Sequence, residues 1–141
     1  MTTRPMSIGA LSKDTGVKVP TIRFYEQIGL LRSADRTQSN RRIYDAKALE
    51  RLRFIRHARD LGFSVDAIRQ LIELADEAEK PCRDIDRIAA AHLADIDGKI
   101  RRLRSLRREV ARMLESCGHG RVGECRIIEV LANHRLCNTE H

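Results

Sequence analysis

The sequence predicts a mainly α protein: a winged helix-turn-helix head, a long antiparallel coiled-coil helix behind it, and a C-terminal loop with a short helix. Three observations predict it. The surplus positive charge is confined to the first part of the chain. That same part is cut by glycine and proline into short helices. A seven-residue apolar beat then runs between two cysteines in the later part.

The charge separates head from body. Residues 1–60 hold 13 Lys/Arg against 6 Asp/Glu, and residues 61–141 hold 14 of each, so the whole net +7 lies in the first segment. A basic head on a neutral body is the footprint of a nucleic-acid-binding protein. A merely basic soluble surface is the plain alternative. No run of 18 apolar residues and no basic-then-apolar leader is found, so a cytoplasmic protein without a membrane segment is expected.

The head opens on Ser7, an N-cap for a short helix that Gly16 breaks. Val19-Pro20 starts a second helix, with Pro20 suited to the first helical position and Gly29 to the stop. Two short helices around a glycine-containing turn make the helix-turn-helix pattern. Residues 30–44 are polar and turn-rich. Short β pieces around Leu30 and Ile43-Tyr44, with a basic loop between them, are expected to form a wing. Asp45 caps a helix over 46–61 with Leu49, Leu52, Ile55 and Ala58 on one face, and Gly62 ends it. Ser64 caps the next, with Val65, Ile68, Leu71, Ile72 and Ala75 apolar.

After a charged link, Pro81 is placed at the first position of the long helix. Cys82 and Cys117 lie 35 residues apart, five heptads, with Ala89, Ile96, Leu103 and Val110 on the same beat. A second beat reads Ile85, His92, Lys99, Leu106 and Met113, flanked by Leu93, Ile100 and Leu114. At about 1.5 Å per residue the two thiols are roughly 50 Å apart and cannot meet within one chain. In a parallel dimer Cys82 would meet its own copy. In an antiparallel dimer Cys82 of one chain arrives beside Cys117 of the other. The arginines of the second half, Arg101 to Arg112, suit the helix dipole and read as a solvated face. Gly118 and Gly120 stop the helix, and a short helix over 126–131 follows.

Four cysteines in a cytosolic chain point to metal binding or redox sensing, with inert buried thiols as the plain alternative. Cys117 to Cys125 is a Cys-x7-Cys loop with three glycines, which lets both sulfurs face one point. Thiolates suit soft ions such as Zn, Cd, Pb, Hg or Cu(I). Two sulfurs suit a monovalent ion, whereas three, with or without an imidazole, suit a divalent one. His119 stands close enough in sequence to join them, or to be a solvent-facing loop histidine. His134, Cys137 and His141 form either a second, weaker site or a polar tail. No catalytic constellation and no phosphate loop is present, so no enzyme is expected.

On the second helix Arg23 and Tyr25 are placed to read base edges and phosphates, and Thr21 lies near its N-terminus, where backbone N–H groups favour phosphate. Arg36, Arg41 and Arg42 sit in the wing. The stretches Ile8-Gly9-Ala10-Leu11-Ser12, Thr21-Ile22-Arg23-Phe24-Tyr25-Glu26, Gly29-Leu30-Leu31, Arg36, Arg42-Ile43-Tyr44 and Leu52-Arg53-Phe54-Ile55-Arg56 together resemble the MerR family of bacterial transcription regulators. Arg41 departs from it, standing where an aromatic residue is common. With Tyr44 added from the motif, the DNA-binding candidates are Thr21, Arg23, Tyr25, Arg36, Arg42 and Tyr44.

The later part is similar to the family's metal-sensing branch. That resemblance implies a homodimer on promoter double-stranded DNA, acting with RNA polymerase on an over-long promoter spacer that is bent and untwisted when metal binds. Cys82 matches the cysteine that divalent sensors carry near the start of the dimerisation helix. The implied ligands are Cys82, Cys117 and Cys125, with His119, for a divalent ion: Zn, or Cd, Pb or Hg. The implied division is 1–76 for the DNA-binding domain, 77–117 for the dimerisation helix, and 118–141 for the metal-binding loop, short helix and tail. The competing expectations are a monovalent Cu, Ag or Au sensor, a thiol or iron–sulfur redox regulator, and a regulator for an organic ligand.

Overall fold

The computed structural model of the protein describes residues 5–116 and 120–133. Cys117, Gly118, His119, His134, Cys137 and His141 lie outside the described residues. The chain divides into two compact units, residues 1–85 and 86–141. Among the described residues there are six α-helices and one small antiparallel sheet. None of these helices is long and apolar enough to cross a membrane.

In the first unit β1 (Met6–Ser7) leads into α1 (Ile8–Thr15). The Ser7 hydroxyl accepts the Ala10 N–H at 3.1 Å, satisfying one of the unpaired donors of the first turn. Gly16 closes the helix at φ 75°, its N–H donating to the Ser12 carbonyl at 2.7 Å. Thr15 is buried, and its hydroxyl donates to the Leu11 carbonyl and accepts from the Val17 N–H. The turn into α2 (Val19–Gln27) is therefore fixed at both ends of one side chain. After α2, Gly29 at φ 77° reverses the chain, and the Leu30 and Leu31 N–H groups both donate to the Tyr25 carbonyl.

A side chain also lies over the Gly16 turn. A Cβ there would collide with the Arg56 guanidinium, which donates to the Thr15 carbonyl. Gly16→Ala is expected to destabilise the fold by about 1–2 kcal/mol, because alanine pays for the left-handed backbone and must displace Arg56. Thermal or urea denaturation reads this directly, and an unchanged midpoint would mean that the turn relaxes freely.

The wing differs from expectation. Leu30 and Leu31 are not strand residues; they are 5% and 1% exposed and plug the core. The strands are β2 (Asp35–Arg36) and β3 (Arg42–Tyr44), and β1 joins on the other side in the order β1-β3-β2. Met6 pairs with Tyr44, Ser7 and Asp35 each with Ile43, and Arg36 with Arg42. Two consecutive leucines after a left-handed glycine gain more from burial than from pairing, so the hairpin starts several residues later.

Next come α3 (Ala46–Asp60) and α4 (Val65–Ala75), capped as expected by Asp45 and Ser64, which accept the Ala48 and Ala67 N–H groups at 2.9 and 3.1 Å. Leu49, Leu52, Ile55 and Ala58 of α3 meet Leu11, Ile22, Leu31 and Ile68 in one core. Arg69 ties α4 to the end of α2 by donating to the Ile28 carbonyl at 2.8 Å.

The long helix, α5 (Arg83–Glu115), starts two residues after the expected position, with Cys82 directly before it. In the second unit a short 3-10 turn (Val122–Glu124) precedes α6 (Arg126–Ala132).

Candidate nucleic-acid interface and thiol positions

The second helix of the head presents a mixed surface. Arg23 is exposed and Thr21 half-buried in the first turns of α2. Tyr25 is 7% exposed, so its ring belongs to the core and only its margin faces outward. Phe24, unassigned in the sequence, is 48% exposed, with its ring centroid 6.1 Å from that of Tyr25. An exposed aromatic on such a helix is a surface for sugar or thymine methyl contact; the signal for it is the aromatic pair Phe24-Tyr25, of which a helix can bury only one.

The wing loop is closed by its own hydrogen bonds. The Thr37 N–H donates to the Arg41 carbonyl, and the Asn40 N–H to the Thr37 carbonyl, both at 2.9 Å. Asn40 adopts φ 63°, a left-handed position that asparagine tolerates. The Arg36 guanidinium donates to the Asn40 carbonyl at 3.1 Å, which braces the loop, and both Arg36 and Arg41 remain exposed.

Tyr44 faces inward instead, and Arg42 turns its Nη1 inward while its side chain stays 30% exposed. The Tyr44 ring is 2% exposed, and its hydroxyl donates to Glu26 Oε1. Arg42 Nη1 lies 3.7 Å from Glu26 Oε2 and is enclosed without a hydrogen-bond partner. Burial, with the Glu26 carboxylate beside it, pushes the Tyr44 phenol up to about 12. The sequence alone gives Glu26 no role. Its signal is an acid in a basic head.

Of the thiols, Cys82 is exposed before α5, and Cys125 is half-buried before α6, its carbonyl accepting the Glu129 N–H at 3.1 Å. Cys117 and His119 lie outside the described residues, so the full candidate set is not brought together here. Among the described residues no three His, Cys, Asp or Glu side chains group at metal-binding range.

Along α5 the apolar beat separates into two kinds of surface. Leu93, Ile100, Leu103, Val110 and Leu114 are 40–64% exposed, at steps of seven, three, seven and four residues. The second beat ends differently: Met113 is 7% exposed and lines, with Glu109, Arg112, Arg126 and Val130, a depression of about 420 Å³. Glu109 is buried there and accepts from Arg112.

Two short helices around a glycine turn, an exposed arginine on the second, and a small basic wing define a helix-turn-helix DNA-binding protein. Residues 6–75 match the MerR HTH family regulatory proteins, and residues 49–113 match the MerR DNA-binding family. The chain is 39% identical over 128 residues to heavy metal-dependent transcription regulator 2 of Rhizobium meliloti (strain 1021), covering 91% of this chain and 87% of that one. Its fold is similar to the crystal structure of the transcription regulator PbrR691 from Ralstonia metallidurans CH34 in complex with lead(II), with TM-score 0.77, 40% identity, and 89% of this chain and 98% of that one covered. It is also similar to the dual-function regulator MerR from Bacillus megaterium MB1 in complex with mercury(II), with TM-score 0.68, 30% identity, and coverage of 90% and 99%. The chain belongs to the MerR family of helix-turn-helix regulators and is a DNA-binding transcription regulator.

Proposed function

We propose that the protein is a cytoplasmic, metal-responsive activator: a homodimer that binds promoter DNA and distorts it into a transcribable form when a divalent thiophilic ion occupies its thiol sites. The observation that carries this reading is the exposed apolar row from Leu93 to Leu114 on the helix that begins beside Cys82. A row of that length at heptad spacing needs a partner helix. Charge favours an antiparallel one. Residues 83–99 hold four acids and three bases, whereas residues 101–115 hold six arginines and two glutamates. A parallel dimer would lay the basic halves together; an antiparallel dimer lays each against the partner's mildly acidic half.

The antiparallel alignment brings Cys82 of one chain beside Cys117 and Cys125 of the other, with His119 near them in sequence. Three thiolates fit Zn, Cd, Pb or Hg better than a monovalent ion, and the similarity to regulators crystallised with lead(II) and mercury(II) supports that class. Residues 1–76 then serve as the winged DNA-binding domain, 77–117 as the dimerisation helix, and 118–141 as the metal-binding loop, short helix and tail. The conformation that completes the thiol sites is the activating one, since an effector shifts an equilibrium only by its difference in affinity for the two states. RNA polymerase reads the outcome as a change in promoter geometry. Elemental analysis and competitive titration with Zn, Cd, Pb, Hg and Cu(I), followed by transcription from the bound promoter, test the reading. A dimer that holds only Cu(I) tightly would replace it with the monovalent one.

DNA contact is assigned most directly to Arg23 and Arg36, the exposed arginines of α2 and the wing. Arg23→Ala and Arg36→Ala are each expected to weaken operator binding by about 1–3 kcal/mol without unfolding the protein. Gel-shift titration at fixed salt measures it, and parental affinity in both variants would remove these side chains from the interface. Thr21 and the margin of Tyr25 complete the α2 contact. Arg42 and Tyr44 belong to the interface through the wing they hold.

A further inference from the structure

We infer that Glu26 is the positioning residue of the DNA-binding surface: its carboxylate locks the wing to α2, so that both meet DNA as one rigid face. The inference rests on the DNA-binding role of the head. Glu26 sits in the last turn of α2, and its side chain is 9% exposed. One oxygen accepts the Tyr44 hydroxyl, and the other faces Arg42 Nη1 at 3.7 Å. Arg42 and Tyr44 stand two apart on β3 and so share one face of the strand. Arg42 in turn pairs with Arg36, whose guanidinium braces the loop at Asn40. One carboxylate thus joins the end of α2 to β3, whose pairing with β2 leads on to the wing tip.

The chemistry needs a carboxylate there. Its two oxygens are both acceptors, one for a phenol and one for a cation. A glutamine would keep one acceptor and turn an NH2 donor toward either Tyr44 or Arg42. Arg42 Nη1 is enclosed with no hydrogen-bond partner, so the facing negative charge compensates its burial. The Tyr44 phenol, raised to about 12, stays protonated wherever DNA binding is measured and keeps donating.

The sign of the effect separates this role from ordinary electrostatics. Glu26 is one of only six acids in residues 1–60, so removing its charge should, by field alone, strengthen attraction to DNA. A positioning role requires the opposite.

The experiment compares the full-length parent with Glu26→Gln. Amide hydrogen exchange without DNA is read at residues 35–43 and at α1 and α3; operator affinity is then titrated across a salt series. The expected result is faster exchange confined to the wing, operator affinity lower by about fivefold or more, and a salt slope reduced by about one as wing phosphate contacts are lost. Parental exchange in the wing, or operator binding as tight as the parent's or tighter, overturns the inference. Tyr44→Phe, which removes one oxygen, is the second variant: it should loosen the same amides, and unchanged exchange counts against the lock. The exchange arm uses no DNA. A parent that fails to bind operator would therefore overturn the DNA-binding reading, while the wing amides still decide whether Glu26 holds the wing.

Discussion

Leu103→Glu is expected to convert the dimer into monomers. Leu103 is 64% exposed on α5, in line with Leu93, Ile100, Val110 and Leu114. Isolated apolar residues on a surface need no explanation, but a continuous row at steps of three, four and seven does. In the proposed dimer the substitution occurs once on each chain, so the seam receives two carboxylates. Burying an unpaired ion costs several kcal/mol after relaxation. About 5 kcal/mol in total would raise the dimer dissociation constant by roughly four orders of magnitude. Light scattering at micromolar concentration should therefore report a monomer. Operator binding should fall with it, because a dimer is what spans two half-sites. A stable Leu103→Glu dimer would sink the seam.

What was legible in the sequence is what is decided within a few residues. Ser7, Asp45 and Ser64 each accept the N–H three residues on, and each was readable as a cap because capping is local. Gly16, Gly29 and Gly62 all take positive φ and end their helices as their positions announced. The face of α3 followed from its period alone. The strands did not. β1 and β2 have two residues each, too short to show an alternation, and β1 pairs with β3 across more than thirty residues of chain. Leu30 and Leu31 read as β by type, yet the Gly29 reversal turns both into the core.

The DNA-binding surface was legible by residue type but not by direction. By type, Tyr25, Arg42 and Tyr44 group with Arg23 and Arg36, since all are residues that contact DNA. Burial then divides them: Arg23 and Arg36 face out, and the rings of Tyr25 and Tyr44 face in. The partner that Tyr44 and the Nη1 of Arg42 turn to is Glu26, 18 and 16 residues earlier on another element, and no local pattern joins them. A heptad is ambiguous in a similar way. It marks a stripe to be covered without saying by which chain. On α5, Met113 is buried beside Val130 of the same chain, while the Leu103 row is left open.

Mixed dimers of Cys82→Ser and Cys117→Ser chains are expected to keep one high-affinity divalent-metal site, whereas homodimers of either variant keep none intact. The two thiols are 35 residues apart in sequence, and a helix of that length would hold them roughly 50 Å apart at about 1.5 Å per residue, too far for one chain to bring both to one ion. Cys82 is exposed at the start of α5, open to a partner, and Cys125 stands half-buried at the start of α6. In the proposed antiparallel dimer, each end would take Cys82 from one chain and Cys117 with Cys125 from the other. In the mixed dimer both substitutions fall at one end, and the other end keeps all three sulfurs. In either homodimer every end loses one. Thiolates bind soft divalent ions as a set, and a lost thiolate changes both the charge at the ion and its coordination number. The parent dimer should therefore bind a divalent ion at two tight sites, the mixed dimer at one, and the single-variant homodimers at none of comparable affinity. Chains carrying different tags allow the heterodimer to be isolated, and competition against a chromophoric chelator gives stoichiometry and affinity together. A heterodimer without a tight site would exclude a site shared in this way between chains. A Cys82→Ser homodimer as tight as the parent would leave Cys82 outside the site, and the Cys117–Cys125 pair would then stand as a two-sulfur site suited to a monovalent ion.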